Sequence, residues 1–183
     1  IIEGANLYIT QRGREALEKL GVLIVKDSSA NKCGVICSSF EVLCTLTLSE
    51  PMFLKSKAVL VPEILEILKK CAYDEGQLLL RTHKETGASL TSISNVISQR
   101  IIAYTDQLLD YFETITLDPH PENPLMKIFL THAPRTLREQ HTEALLAHIP
   151  DNHKKAVIAS RIASSLCYQR GLSWSPSIID VLP

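Results

Sequence analysis

The rhythm of apolar and polar positions changes near residue 50. Before that point short runs of different character alternate. Residues 15–20 carry a short helical patch closed by Gly21, a residue suited to a helix C-terminus. Residues 22–25, Val-Leu-Ile-Val, form a continuous apolar run rich in β-branched side chains, the pattern of a strand buried on both faces. Lys26 and Asp27 lead into a polar loop over 28–32. A helix-compatible stretch then runs from Gly34 to about residue 48, with Val35, Phe40, Val42, Leu43 and Leu46 available for packing. Helix, strand, loop and helix in that order are half of a βαβ arrangement, with Ile1 and Ile2 as the stub of a preceding parallel strand.

Beyond residue 50 the chain reads as almost entirely helical. Pro62 stands at a plausible first helical position, and the pattern that follows runs over 63–84, with Gly87 beyond it. Ser89 precedes a long helix over 90–114, whose apolar residues Ile93, Ile97, Ile101, Tyr104, Leu108 and Tyr111 step by three and four along one face. That stripe is expected to pack against the helix carrying residues 64–80 as an antiparallel pair. The proline-rich stretch 118–124 must be a loop. Helices are expected near 125–131, 137–148 and 152–170, the last capped by Asp151 and stopped by Gly171, with Ser175 and Pro176 past the end of the helical signal.

Composition narrows the classes of function. Of 183 residues, 45% are apolar and 21% charged, a globular balance, and the formal charge of −1 supplies no field to draw nucleic acid or anionic lipid. No apolar run approaches the ~18–20 residues that cross a bilayer. The chain opens on Ile-Ile-Glu-Gly-Ala-Asn without Met, which reads as a cut through a longer protein. Its five cysteines include no C-x-x-C pair and no zinc spacing, so they read as reduced thiols of a cytoplasmic protein. The six histidines are scattered and read as structural, and Arg81, Arg100, Arg161 and Arg170 as helix-surface charges. No metal site is expected.

Candidate chemistry lies in two polar clusters, each just beyond a strand-like segment: Glu3-Gly4-Ala5-Asn6, and residues 27–41. In a parallel α/β sheet, ligands bind outside the carboxyl ends of the strands. Gly4 allows close backbone approach. An Asn amide donates and accepts at once, which matches a ribose hydroxyl or a carboxamide. Asn31 and Ser38 are seven positions apart, about two helical turns, with Gly34 between them near the same face. A helix start there also offers free N–H groups to an anion. The plainer alternative makes Asn31 a loop or cap residue and Ser38 a helix-interior serine.

The run Glu3-Gly4-Ala5-Asn6, then Thr10, then 22–27, then Asn31-Lys-Cys-Gly34-Val35-Ile-Cys-Ser38-Ser-Phe40-Glu41 resembles the glutamate dehydrogenases. There E-G-A-N is followed by a helix, a strand ending near Asp, and N-x-G-G-V-x-x-S-x-F-E. Residues 27–32 and, more weakly, 149–151 and 159–164 are most similar to the large NAD-dependent type with a long C-terminal helical region.

The pattern along the chain gives a mainly α fold, and the resemblance adds the identity of its parts. Residues 1–49 would be the C-terminal piece of a Rossmann-like α/β dinucleotide-binding domain, and 50–183 a multi-helix C-terminal domain. It implies NAD as cofactor, with oxidative deamination of L-glutamate to 2-oxoglutarate and ammonia. Asn6 would lie at the nicotinamide ribose and Asn31 at the nicotinamide carboxamide. Gly34 and Val35 would line the substrate pocket, and Ser38 would bind the side-chain carboxylate of glutamate. Catalytic residues would lie upstream, so the chain by itself would be inactive, and the whole enzyme would be a homo-oligomer. Two departures stand out. Cys33 replaces the first glycine of the pair and would add bulk beside the nicotinamide, and Gln11 replaces a proline. The competing expectation is a helical regulatory or subunit-interaction module without a catalytic role. A nucleic-acid-binding helical domain is disfavoured by the lack of a basic face.

Overall fold

A computed structural model of the chain describes residues 1–174, and Ser175 and Pro176 lie outside them. In order, the helices are α1 (Gln11–Lys19), α2 (Asp27–Ala30), α3 (Lys32–Thr47), α4 (Glu50–Thr86), α5 (Leu90–Glu113), α6 (Pro124–His132), α7 (Arg135–Gln140), α8 (Thr142–His148) and α9 (Asp151–Arg170). The molecule is mainly helical, as expected. No helix among the described residues is long and apolar enough to cross a membrane.

The expected strand over 22–25 is reduced to one parallel bridge between Ile2 and Val25. The Val25 amide donates to the Ile1 carbonyl at 2.9 Å and the Glu3 amide to the Val25 carbonyl at 3.0 Å. Two short segments cannot bury both faces of a parallel pair. Ile24 is fully buried, but Ile2 is left 76% exposed and Leu23 53%. The described residues therefore contain no sheet, and the Rossmann-like part of the expectation is not visible in them.

Several element boundaries differ from the sequence pattern for local reasons. The expected polar loop at 28–32 contains α2. Its turn closes through the Ala30 and Asn31 amides on the Lys26 and Asp27 carbonyls, and the Ser28 and Ser29 hydroxyls bond Ser94 of α5 at 3.1 and 2.6 Å. Pro62 does not start a helix but lies inside α4, where Pro51 fills the first-turn position instead. Both Pro62 and Ala58, whose carbonyl loses its partner, are exposed, so the orphan group is on the side open to solvent. The single helix expected over 137–148 is two, α7 and α8. At their junction the Thr142 hydroxyl takes the Arg138 carbonyl, a local bond that competes with the helical ladder. Pro150, rather than Asp151, occupies the N-cap of α9, and the Asp151 carboxylate pairs with Lys154 at 2.9 Å. Ser89 caps α5 through the Ser92 amide, and Gly87 and Gly171 close α4 and α9 with φ of 71° and 81°.

The stripe on α5 is real but shifted at its end. Ile93, Ile97, Leu108 and Phe112 are buried, whereas Tyr111 is 37% exposed. Its main partner is α9 rather than α4. Helix α4 meets α5 through a smaller core of Leu78, Leu79, Leu90, Ile93 and Ile97. The larger core gathers Phe40 and Leu43 of α3, Leu60 of α4, Leu108 and Phe112 of α5, Phe129 of α6, Leu145 of α8 and Ile158 of α9. By this packing α3 is fixed to the helices beyond residue 50.

Candidate functional site

The turn that carries Asn6 is anchored from below by three buried charges. Glu3, Arg14 and Asp27 are each less than a tenth exposed. Arg14 of α1 donates through Nε to Glu3 Oε2 at 2.7 Å and through Nη2 to Glu3 Oε1 at 3.2 Å, and Nη2 lies 3.5 Å from Asp27 Oδ1. Glu3 also accepts the amides of Ile9 at 3.3 Å and Asp27 at 3.2 Å. Asp27 accepts the amides of Leu7 and Ser28, both at 2.8 Å. The Leu7 amide is the chief reason the Asp27 carboxyl is held below the usual carboxylate range; burial opposes it, and Ser28 and Arg14 reinforce it. Its bond to Glu3 raises the already high pKa of Arg14 further.

This anchor holds Leu7 in a conformation leucine seldom adopts. Its φ is 55°, and it is the one non-glycine residue with positive φ among the described residues. The side chain is 84% exposed, so no packing of its own compensates a left-handed backbone that costs roughly 1–2 kcal/mol. The Leu7–Asp27 bond supplies the restraint. Through that turn Asn6 reaches the start of α3, where Asn31 Nδ2 donates to Asn6 Oδ1 at 2.9 Å.

From Asn31 a strip continues along α3. Asn31 occupies the N-cap position but makes no side-chain cap bond; its amide is committed to Asn6 instead. A Cβ placed on Gly34 would meet only Asn31 Oδ1, at 3.6 Å, an ordinary contact. Ser38 Oγ donates to the Gly34 carbonyl at 3.3 Å. Positions 31, 34 and 38 share one helix face. Gly34 and Ser38 are exposed, and Asn31 is half-buried. The structure therefore brings Asn6, Asn31, Gly34 and Ser38 together, while Val35, 77% exposed, faces the neighbouring cleft.

Behind the strip, α3 is tied to the helical body. Lys32 Nζ donates to Glu75 Oε2 of α4, and the Tyr168 hydroxyl of α9 donates to the same oxygen at 2.7 Å. Burial first, and then the Glu75 carboxylate, push the Tyr168 phenol well above its ordinary range. Cys33 turns toward α4, its thiol 3.5 Å from the Leu68 carbonyl, so its bulk is directed at that helix. All five cysteines are free thiols, and burial raises Cys44 and Cys167 to about 11. Lys26 bonds Asn95 of α5 at 2.7 Å. Arg100 does not behave as a plain surface charge, since it and Tyr104 both donate to the Trp174 carbonyl, at 2.8 and 3.0 Å.

Nothing in the sequence marks Arg14 or Glu75, both of which are buried. Asp27 read only as the lead into a polar loop, which its bond to the Ser28 amide fits, whereas its bond to the Leu7 amide was not legible. The available signal was thin: Arg14 stands at a helical position where Glu3 and Asp27 can reach it only after the chain has folded back.

Residues 1–101 match the family of glutamate/leucine/phenylalanine/valine dehydrogenases. The chain is 31% identical to the probable NAD-specific glutamate dehydrogenase of Schizosaccharomyces pombe, covering 96% of this chain and 17% of that protein. It is 32% identical to the NAD-specific glutamate dehydrogenase of Saccharomyces cerevisiae, and 31% identical to glutamate dehydrogenase 2 of Dictyostelium discoideum, covering 94% of this chain and 17% of the relative in both cases. The chain thus spans about a sixth of the length of these relatives. No solved structure matches it. With more than half its residues matched by one family, this chain belongs to the glutamate/leucine/phenylalanine/valine dehydrogenases.

Proposed function

We propose that this chain is the nicotinamide- and glutamate-contacting portion of a large NAD-dependent glutamate dehydrogenase. The supporting observation is the Asn6–Asn31 amide pair, set at the head of an open strip that ends in Ser38. Residues 1–49 act as the C-terminal piece of a Rossmann-like dinucleotide-binding domain, and 50–183 as the helical domain that braces it.

In this reading, Asn6 meets the ribose of the nicotinamide half of NAD. Asn31 pairs with the carboxamide, matching donor to acceptor and acceptor to donor, and so selects which ring face is presented. Gly34 and Val35 line the substrate pocket. The missing Cβ of Gly34 answers no crowding within its own chain, and a glycine inside a helix costs roughly 0.8–1 kcal/mol relative to alanine. Room for a ligand is the reason assigned to it. Ser38 turns its hydroxyl from the Gly34 carbonyl to the side-chain carboxylate of glutamate.

NAD, when bound, would supply the hydride acceptor for the conversion of L-glutamate and water to 2-oxoglutarate and ammonium, with release of one proton. The groups that move protons and cradle the phosphates are supplied by segments outside this chain, which alone does not reduce NAD. The intact enzyme is a homo-oligomer of the cytoplasm, a compartment in keeping with five free thiols.

A second reading, a helical subunit-interaction module without catalytic role, draws on the exposed Met52, Leu54, Val59, Val61 and Leu65 of α4. Steady-state kinetics of the full-length protein separate the two. Asn31→Ala is expected to raise KM for NAD and Ser38→Ala KM for glutamate, each by roughly tenfold, the loss of about one charged or well-placed hydrogen bond. If both variants leave both constants unchanged, the strip is not a ligand site and the module reading stands.

A further inference from the structure

Between α3, α4, α5, α6 and α9 lies a cleft of about 690 Å³ that the proposed function touches only at the exposed Val35. Pockets holding small organic ligands measure roughly 300–1,000 Å³ and combine apolar walls with a few polar groups. This one fits that description. Its apolar walls are Ile36 of α3, Ile67 of α4, Ile101 of α5 and Val157 of α9.

Three cations line the cleft, and they are not equivalent. Lys32 is paired with the buried Glu75, and Lys70 with Asp74 at 3.0 Å. Arg161 of α9 has no acidic partner among the described residues, although it stands beside the same apolar walls. On the same side His132 stacks on Phe40, ring centroids 5.0 Å apart, and so lies flat against the core beside the cleft. A planar guanidinium matches a carboxylate with two parallel N–H donors. The surface next to it offers an alkyl body something to bury against.

We propose that this cleft is a binding site for a monocarboxylate with an apolar body, its carboxylate on Arg161 and its alkyl chain against Ile36, Ile67, Ile101 and Val157. The site lies beside the Asn31–Ser38 strip, with Val35 bordering both, and does not depend on the dehydrogenase reading. It shares α3 with that strip, through Ile36 on the cleft side and Ser38 on the other, so an occupant contacts the helix that carries both.

Calorimetric titration of the full-length protein with hexanoate and with hexan-1-ol tests this. Hexanoate should bind saturably at one site per chain, and the alcohol roughly tenfold more weakly, since it cannot engage the guanidinium as an anion does. The exposed Arg161 can be replaced without touching the core, and Arg161→Gln should bring hexanoate down to the affinity of the alcohol. Saturating glutamate should leave the hexanoate stoichiometry unchanged. The proposal is overturned by any of four results: no saturable binding, equal affinity for acid and alcohol, an unchanged isotherm in Arg161→Gln, or displacement by glutamate. The last would put the probe on the strip rather than in the cleft.

Discussion

Arg14 meets two carboxylates in a place where water does not reach. Breaking such a group from one side leaves charges buried and unpaired, which costs far more than the intact cluster contributes. Arg14→Met should therefore destabilise the protein by roughly 3–5 kcal/mol in urea denaturation, and a change under about 1 kcal/mol would show that the cluster is solvated. The same variant should loosen the turn at Leu7, because the Asp27 carboxylate that restrains it would then take up a proton more readily. The Asp27 pKa is lowered on folding, so its contribution is present above the ordinary carboxylate range and fades as pH falls through the folded value. His132 acts in a higher window. Burial, chiefly, with Arg161 and His153 adding to it, lowers its pKa from 6.5 to about 4, so the unfolded chain binds the extra proton first. Stability should fall as the pH drops from 6.5 towards about 4, by at most about 1.4 kcal/mol per pH unit, and His132→Leu should flatten that slope. At this scale the spacing of seven was enough to set Asn31 and Ser38 on one face of α3, and the fold brings Asn6 to Asn31. The sequence was silent on Arg14 and Glu75. Their burial depends on partners 11 and 43 positions away, and nothing local separates a paired charge from a solvated one.

Helix α4 shows how far local rules reach at the scale of an element. Proline at position 62 argues for a helix start, and the apolar pattern beyond it agrees. The helix nevertheless continues through it. Leu60 is fully buried on one side of the proline and Ile64 packs against the same core on the other, which holds both halves in line. The lost bond falls on the solvent side. Pro62→Ala should restore it and raise stability by roughly 1–3 kcal/mol, somewhat offset by the freer unfolded chain. A loss of stability on that substitution would mean that the proline is packed against something. Helix α5 makes the complementary point. Period and cap were both readable, and its bounds agree with the pattern to within a residue. The identity of its partner was not, because an amphipathic stripe states which face is buried and not which helix buries it. The run at 22–25 forms no strand for a related reason: a strand needs neighbours, and among the described residues its one bridge is to Ile2.

Across the whole molecule, the helical body and the strip are mechanically one object. Phe40 and Leu43 root α3 in the larger core, Lys32–Glu75–Tyr168 ties its first turn to α4 and α9, and Ser28 and Ser29 pin α2 to Ser94 of α5. Five helices thus fix where Asn31 stands, and the Glu3–Arg14–Asp27 cluster fixes where Asn6 meets it. In the proposed function this seat receives a nicotinamide carboxamide at one end and a glutamate carboxylate at the other. The most direct measurement is a crystal structure of the full-length protein with NAD and glutamate bound. The carboxamide is expected within hydrogen-bond distance of the Asn31 amide and the side-chain carboxylate on the Ser38 hydroxyl. A cofactor ring and substrate seated away from α3, with the Asn6–Asn31 bond and the Ser38–Gly34 bond both undisturbed, would contradict it.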